Sequence, residues 1–284
     1  MTLPESSFGS PLLRDPKLSR LEKAYIRTFG VPVLGLRIRA RHLSPVIERL
    51  RGRSYPAILD AGCGRGLFTC LLARSFPESS VTGVDIDRDQ LDRNTTIAAR
   101  SGYQNCHFAV HDVTDLTILG PCDLILSTDN LEHLEDDRKQ CRVFHDTLRP
   151  GGGLLIHTPH ITRNLFGWRR ENFMGIEGHV RPGYTLKGLT GMLEDAGFHI
   201  EEAFYTYNSI ETLANDLSYL ITAGRERRKV LYAAVFPLLL LLSQLDRSRP
   251  RRDGSGLVVL ARKPTSEPEG GSEGPPAAPG REVS

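Results

Sequence analysis

At 284 residues, with 39% of them hydrophobic, the chain is long enough to form one large α/β domain with additions. Its net charge of +2 argues against a general nucleic-acid binder. The five cysteines form no C-x-x-C pair and the first residues contain no apolar run, so we expect reduced core thiols, no secretory signal and a cytoplasmic location.

The first segment of the chain is strongly basic. Residues 1–55 carry eleven Arg or Lys against four Asp or Glu, and they include the apolar stretch 26–36. We predict a basic helical cap over residues 1–55. Two interpretations of its cationic and apolar residues stay open: helices that pack over the open side of a sheet, or a surface that docks on anionic lipid.

A glycine-rich turn follows the first predicted strand. Residues 57–61 are apolar apart from Asp60, and they lead into Gly62, Gly64 and Gly66. Glycine adopts positive φ and has no Cβ, so backbone N–H groups in such a turn can approach a ligand at the start of the next helix. The pattern therefore predicts a strand that runs into a ligand-binding turn.

An acidic residue ends the second predicted strand, 81–84. Asp85 lies nineteen residues after Gly66, where a carboxylate suits the ribose of a nucleotide bound to a doubly wound sheet. A nicotinamide cofactor shares this pattern and is an alternative, although Leu67 stands where a G-x-G-x-x-G turn needs its third glycine.

Strands alternate with helices through the rest of the core. The predicted strands span 57–61, 81–84, 107–110, 123–127, 154–158, 198–207 and 257–261, and the predicted helices include 67–76, 88–100 and 186–196. Repeated βα units indicate an α/β fold with a doubly wound, mainly parallel sheet. Ligands bind at the carboxyl ends of such strands, where the polar side chains gather: Asp60, Asp85, Asp112, Asp129 and His157.

About fifty residues separate the last two predicted strands, where a hairpin would suffice. They contain a helical pattern at 210–222, a basic cluster at 225–229 and a thirteen-residue apolar run at 230–242. A membrane span needs about 20 residues, so we predict a helical insertion over 208–254 that is buried or lies at a membrane interface. The core then covers 56–207, the last core strand covers 255–263, and Pro, Gly, Ser and Glu predict a disordered tail over 264–284.

Five stretches occur in an order that is typical of one family. They are Ile58 to Gly66 (ILDAGCGRG), Val84-Asp85-Ile86-Asp87, His111-Asp112-Val113, Cys122 to His133 (CDLILSTDNLEH) and Leu148-Arg149-Pro150-Gly151-Gly152-Gly153, a turn before the fifth strand. Together they resemble the class I S-adenosylmethionine-dependent methyltransferases, and within them the small-molecule and lipid-precursor branch with the ubiquinone-pathway O-methyltransferases. The resemblance implies a Rossmann-like sheet of about seven strands with the last strand antiparallel.

The resemblance also implies the cofactor, S-adenosyl-L-methionine, and the residues that bind it. The glycine turn would admit its methionine and ribose portions, Asp60 would order the methionine end, Asp85 would accept from the ribose hydroxyls, and Asp112 with Val113 would hold the adenine edge. The full predicted set is Asp60, Gly62, Gly64, Gly66, Asp85, Ile86, Asp112, Val113 and Asp129. The alternative for each aspartate is a cap or turn at the end of a strand.

Asp129, Glu132 and His133 would share one face if a helix began there. Such groups could bind a divalent cation such as Mg²⁺, and the ubiquinone-pathway enzymes, in which a divalent metal is implicated, have an acidic residue and a Glu-His pair at these positions. Alternatively, Asp129 caps the helix while Glu132 and His133 line the cofactor pocket.

The methyl acceptor leaves a weaker signal. His133, His160 and His179 are candidate bases for a hydroxyl acceptor, with His157 as a further one. The segment 160–184 follows the fifth strand and is the natural acceptor wall. It contains Arg169, Arg170 and Arg181 beside Trp168 and Tyr184, which suggest an anionic acceptor; the alternative for each single arginine is a solvated surface charge.

The expected function is methyl transfer to an oxygen, less favourably a nitrogen or carbon, of a small-molecule or lipid-linked acceptor. The alternatives are a non-enzymatic cofactor-binding protein that docks a partner or an anionic membrane, and an NAD-dependent oxidoreductase. Nucleic acid is disfavoured as acceptor, because residues 129–132 read Asp-Asn-Leu-Glu. The familiar motif at this place in methylases that act on the amino groups of bases is Asn-Pro-Pro-Tyr or Asp-Pro-Pro-Tyr.

Overall fold

The computed structural model describes residues 8–161, 178–222, 228–245 and 253–265, and a seven-stranded sheet forms the centre of this part of the chain. The strands are β1 (Ala57–Ala61), β2 (Ser80–Asp85), β3 (Cys106–Val110), β4 (Cys122–Thr128), β5 (Leu148–Pro159), β6 (His199–Thr206) and β7 (Gly256–Arg262). Their order is β3-β2-β1-β4-β5-β7-β6. The pairs among β1 to β5 are parallel, and β7 is antiparallel to both its neighbours. The predicted fold class is confirmed.

Helices cover the sheet on both faces. In the described residues they are α1 (Arg20–Phe29), α2 (Leu34–Leu50), α3 (Leu67–Ser75), α4 (Arg88–Arg100), α5 (Asp137–Thr147), α6 (Leu186–Asp195), α7 (Ser209–Thr222) and α8 (Lys229–Gln244). Helix α5 is not predicted from the sequence, because Cys141 and Phe144 are its only fully buried apolar side chains and Val143 is its only other apolar residue.

Alternate side chains of the strands enter two separate cores. Ile58 of β1 and Leu124 of β4 pack with residues of α2 and α3 on one face. Leu59 and Ile125, one position further along the same strands, pack with residues of α5 and α6 on the other face. Parallel strands that are buried on both faces explain the continuous apolar runs in the sequence.

The fifth strand begins earlier than predicted. Residues 148–153, expected to form a turn before that strand, lie inside β5. Cys122 pairs with Leu148, whereas Leu124 pairs with Gly153, so the register shifts and the residues between bulge out of the ladder. Gly151, at φ +79°, supplies the left-handed conformation that this bulge needs.

The N-terminal helices and the helices before β7 form one layer. Leu34 and Ile38 of α2 pack with Ala214 of α7 and Phe236 of α8. The Tyr25 hydroxyl donates to the Ala233 carbonyl at 2.6 Å. These contacts favour helical packing for the two basic, apolar segments, and the domain boundaries at residues 56, 208 and 255 stay a prediction.

Glu211 of α7 ties this layer together by charge. Its Oε1 lies 2.7 Å from Arg41 Nη1 and its Oε2 lies 2.7 Å from His42 Nε2, both on α2. No helix among the described residues is long and apolar enough to span a bilayer. All five cysteines are buried and free, as predicted. Most of the predicted tail, residues 266–284, lies outside the described residues.

Candidate active site

The glycine turn lies between β1 and α3 and is tied to the end of β2. Gly62, Gly64 and Gly66 have φ values of +76°, +46° and +68°. The N–H groups of Gly62 and Cys63 donate to the Val84 carbonyl at 3.0 and 2.9 Å. These bonds hold the turn at the carboxyl edge of the sheet, where the sequence predicts a ligand.

At two of the three positions, close neighbours leave no space for any side chain larger than that of glycine. A Cβ on Gly62 would lie 2.8 Å from the Asn130 side chain, and one on Gly66 would lie 2.8 Å from the Phe108 ring. A Cβ on Gly64 would meet no heavy atom of the described residues within 4 Å. The turn is therefore packed at both ends and open in its middle.

Asp85 connects the end of β2 to the glycine turn. Its Oδ2 accepts from the Gly64 N–H at 2.9 Å, and its Oδ1 accepts from the Asp87 N–H at 3.1 Å. From α4, the Asn94 side chain donates to the Gly64 carbonyl at 2.7 Å. Asp85 thus lies beside the open part of the turn, and Asn94 is a supporting residue that the sequence analysis missed.

Asp60 is completely buried beneath the turn. Its Oδ2 accepts from the Thr69 hydroxyl at 2.6 Å, while its Oδ1 finds no hydrogen-bond partner among the described residues. Burial raises the pKa of Asp60 to about 7. A buried carboxyl with one unpaired oxygen is costly unless a ligand completes its hydrogen bonds.

The raised pKa of Asp60 predicts the pH dependence of stability. The folded state keeps a proton that the unfolded chain releases above about pH 4, so this contribution is complete at acidic pH and is lost as the pH rises to about 7. We expect the free energy of unfolding to fall by at most about 1.4 kcal/mol per pH unit in this window. Urea unfolding of the wild type and Asp60→Asn at pH 5 and pH 7 measures it.

The matched control for this slope is Asp112→Asn. Hydrogen bonds from Thr114 lower the pKa of Asp112, so its titration lies below the window and this variant should keep the wild-type slope. An Asp60→Asn protein with an unchanged slope would contradict the assignment.

The predicted adenine-side residues lie after β2 and β3. Asp112 Oδ1 accepts from the Thr114 N–H and hydroxyl, both at 2.8 Å, and so caps the turn that follows. The Val113 carbonyl accepts from Gln140 of α5 at 2.8 Å. The Ile86 side chain is 74% exposed. Asp112 therefore has the capping contacts of its alternative interpretation, and Ile86 offers an unpacked apolar surface.

Asp129 does not cap a helix, contrary to one of the alternatives. It has φ +46°, and the short 3-10 turn Leu131–His133 begins after Asn130. Asp129 Oδ2 lies 2.6 Å from Arg39 Nη2 of α2, and its Oδ1 lies 2.6 Å from His157 Nδ1 of β5. Asp129 thus joins the N-terminal layer to the sheet rim.

His157 extends this network into the core. Burial lowers the pKa of His157, which favours the neutral ring. Because a carboxylate only accepts, Nδ1–H donates to Asp129, and Nε2, 3.1 Å from the Thr206 hydroxyl, accepts. Both ring nitrogens of His157 are therefore engaged in hydrogen bonds that connect Asp129 to Thr206. This removes it as an accessible base.

The predicted metal ligands are rearranged. Glu132, His133 and His179 bring one potential ligand atom each within 4.8 Å of one another, and Asp129 is outside this cluster. The prediction that includes Asp129 assumed a helix, whereas the chain forms only the short turn and the Asp129 carboxylate pairs with Arg39 and His157. His179 arrives from a distant part of the sequence.

Glu132 is the buried member of this cluster. Its Oε2 accepts from the Thr158 hydroxyl at 3.1 Å, and its Oε1 finds no hydrogen-bond partner among the described residues. Burial, and then the charge of Asp129, raise the pKa of Glu132. The His133 and His179 rings meet edge to face with centroids 4.5 Å apart. An unpaired buried carboxyl oxygen beside two imidazoles fits a cation.

The other acceptor-wall predictions have separate outcomes. His160 lies outside the cluster, packs edge-on against Tyr205 at 5.3 Å, and has a pKa lowered by burial. Arg181 donates to the carbonyls of Leu134 and Glu135 at 2.8 Å and forms an ion pair with Asp137. Its guanidinium therefore binds other residues of the protein. Trp168, Arg169 and Arg170 lie outside the described residues.

A comparison with protein families decides the class of this site. A family described as "Methyltransferase domain" matches residues 54–197, which is half of the chain. The chain belongs to this family. The matched residues include the glycine turn, Asp85, Asp112 and the Glu132-His133 pair.

Curated relatives of this methyltransferase-domain chain share part of its length. A trans-aconitate 2-methyltransferase of Streptomyces coelicolor is 31% identical over 172 residues, covering 56% of this chain and 57% of that protein. A malonyl-[acyl-carrier protein] O-methyltransferase of Laribacter hongkongensis is 29% identical over 196 residues, covering 62% and 65%. The chain thus spans less than two thirds of the length of these relatives.

Solved structures share the fold. A geranyl diphosphate methyltransferase in complex with S-adenosylmethionine has a TM-score of 0.55 and 15% identity, covering 89% of this chain and 94% of that one. The [4+2]-cyclase SpnF has a TM-score of 0.55 and 18% identity, covering 80% and 82%. Because one of these proteins is a cyclase, the fold does not determine the reaction, and the site must.

Proposed function

We propose that this protein transfers the methyl group of S-adenosylmethionine to an oxygen of a small-molecule or lipid-linked acceptor, with nitrogen and carbon less favoured. The observation that carries the proposal is the meeting of the open glycine turn with Asp60 and Asp85 in a chain of the methyltransferase-domain family. In the reaction the acceptor oxygen forms a bond to the methyl carbon while the carbon–sulfur bond breaks. The sulfur keeps the electron pair, and S-adenosylhomocysteine leaves.

The cofactor would occupy the open middle of the turn. The unpaired Oδ1 of Asp60 would meet the cationic amine of its methionine portion, and this charge would favour loss of the Asp60 proton. Asp85 would accept from the ribose hydroxyls beside the Gly64 N–H. Ile86 and Val113 would pack on the adenine, with Asp112 at its edge. Asp129 would act as a positioning residue.

The acceptor that the relatives favour is a carboxylate. Trans-aconitate and malonyl groups both carry carboxylates, and the second relative is named an O-methyltransferase. A carboxylate has an ordinary pKa near 4 and presents no proton to remove at neutral pH, so the protein need only position and desolvate it. A hydroxyl acceptor would instead need a base, for which His133, His160 and His179 are the proposed residues.

The Glu132, His133 and His179 cluster would hold a divalent cation. Two imidazoles suit Zn²⁺ or another transition metal, whereas Mg²⁺ prefers oxygen ligands, so we favour zinc over the magnesium that the family resemblance suggests. A bound cation would polarise an acceptor oxygen. We expect His179→Ala to reduce bound zinc from about one ion per chain to a trace, measured by elemental analysis after dialysis.

The matched control for the metal experiment is His107→Ala, because His107 is an exposed histidine on β3, outside the cluster. It should retain the wild-type zinc content. Equal zinc in all three proteins would remove the cluster as a metal site, and it would leave the methyltransferase proposal unaffected.

The proposed function is tested by isothermal titration with S-adenosylhomocysteine, followed by turnover with carboxylate and phenolic acceptors. Micromolar binding and formation of S-adenosylhomocysteine from S-adenosylmethionine are the expected results. Binding without turnover on any acceptor would favour the non-enzymatic alternative. Absence of binding, with thermal protection by NADH, would favour an oxidoreductase.

Two further expectations complete this proposal. Five buried, unpaired cysteines favour a reducing compartment such as the cytoplasm. A nucleic-acid acceptor is disfavoured by the net charge of +2 and by the Asp-Asn-Leu-Glu sequence at residues 129–132.

A further inference from the structure

Helix α8 buries one side and exposes an apolar side. Tyr232, Phe236 and Leu239 face the core that α8 shares with α2 and α7. On the other side, Leu231, Leu238, Leu241 and Leu245 are 53%, 67%, 63% and 64% exposed. Steps of seven, three and four residues place these four leucines on one face of a helix. We call this surface the α8 face.

The α8 face has no polar residues to make it compatible with water. The sequence from 230 to 245 contains no charged residue, and its two polar members, Ser243 and Gln244, are buried and half-buried. A helix at a protein surface normally presents polar side chains on its outer side. A contiguous exposed apolar patch indicates a surface that contacts something other than water.

The start of α8 adds further exposed apolar side chains and positive charge. Val230 on the first turn of α8 is 81% exposed, and Leu220 of α7, whose carbonyl accepts from Arg228 at 3.2 Å, is 49% exposed. Arg228 and Lys229, at the start of α8, are exposed. The sequence from 223 to 253 carries eight Arg or Lys against three Asp or Glu, although the whole chain has a net charge of only +2.

We propose that the α8 face docks in the interfacial region of an anionic membrane, with the helix parallel to the surface and Arg228 and Lys229 against the lipid phosphates. Leucines on one side with cationic residues beside them are the composition of interfacial helices. Sixteen residues measure about 24 Å, less than the roughly 30 Å of a hydrocarbon core, so α8 lies on the bilayer and does not cross it.

Charge selects lipid over a second copy of the chain. A symmetric dimer through the α8 face would place identical surfaces together. Because residues 230–245 include no acidic residue, this face would offer no negative charge to Arg228 and Lys229 of the other copy. An anionic bilayer neutralises the same charges. The docking surface does not depend on the proposed function. The extension that the acceptor is lipid-linked and is reached from the membrane rests on that function.

Co-sedimentation of the full chain with vesicles tests this inference. We expect the wild type to bind vesicles of equal phosphatidylglycerol and phosphatidylcholine at least tenfold more tightly than pure phosphatidylcholine. The double variant Leu238→Glu/Leu241→Glu should lose at least tenfold in binding to the anionic vesicles, and Arg228→Gln/Lys229→Gln should lose the preference for them. Raised salt should weaken binding of the wild type.

Ile118→Glu is the matched control, because Ile118 is 70% exposed in the segment between β3 and β4. It should bind vesicles as the wild type does. Wild-type binding by the leucine variant, or no binding by the wild type, would overturn the proposal, as would a wild-type dimer that the same variant converts to a monomer. Each variant is also titrated with S-adenosylhomocysteine. This measurement tests the proposed cofactor site separately from the membrane-docking surface.

Discussion

Asp85→Ala should weaken binding of S-adenosylhomocysteine by about 1.5–3 kcal/mol, which is roughly tenfold to a hundredfold in Kd. The proposed ribose contact to a charged carboxylate is lost in this variant. In addition, the Gly64 N–H loses the acceptor that holds it at 2.9 Å in the turn. Isothermal titration calorimetry with S-adenosylhomocysteine measures the change without requiring the acceptor.

Two further variants separate these contributions. Asp85→Asn keeps an oxygen for the Gly64 N–H but removes the charge, so its affinity should lie between those of the wild type and Asp85→Ala. Asp89→Ala, an exposed carboxylate on the first turn of α4, should bind as the wild type does. Unchanged affinity in Asp85→Ala would show that the ribose lies elsewhere.

Local pattern was sufficient to predict the secondary structure around the glycine turn. The strand over 57–61, the helix over 88–100 and the glycine turn form where the sequence places them, because each depends on residues a few positions apart. The predicted fold class followed from the order of such units, since βα crossovers leave few topologies.

The contacts of Asp129, Glu132 and His179 could not be predicted in the same way. Arg39 and Asp129 are ninety positions apart, and no local periodicity signals their 2.6 Å contact. His179 lies forty-six positions after His133 in the sequence, so no local pattern signals that it joins Glu132 and His133. Asp-x-x-Glu-His has helical spacing and would share one face if a helix began at Asp129, but Asp129 has a positive φ and no α-helix begins there.

The two sides of α8 also depend on contacts between residues that are far apart in the sequence. Thirteen consecutive apolar residues carry no helical period, so the sequence alone favoured burial or an interface without assigning residues to either. Contacts with α2 and α7 settle that Phe236 is buried, and they leave Leu238 exposed. An exposed apolar surface therefore arises because packing buries only one side of a uniformly apolar helix.

The second large effect is expected in the glycine turn, where alanine at Gly64 should weaken cofactor binding and alanine at Gly66 should lower stability. Gly64→Ala should fold with a loss of about 1–2 kcal/mol for a left-handed residue, yet it should bind S-adenosylhomocysteine at least tenfold more weakly, since its methyl group enters the space proposed for the cofactor. Gly66→Ala should lose more stability, by a further 1–3 kcal/mol or so, because its Cβ would lie 2.8 Å from Phe108.

Gly102→Ala is the control that measures only the stability lost when alanine adopts a positive φ. Gly102 has φ +79° and, like Gly64, no described heavy atom within 4 Å of an added Cβ, but it follows α4 at the other end from the glycine turn. Its stability should match that of Gly64→Ala while its affinity stays that of the wild type. Urea unfolding and titration calorimetry on the three variants give both quantities. Equal affinity in Gly64→Ala and Gly102→Ala would mean that the open middle of the turn is not where the cofactor binds, even if the family's chemistry takes place elsewhere on the same rim.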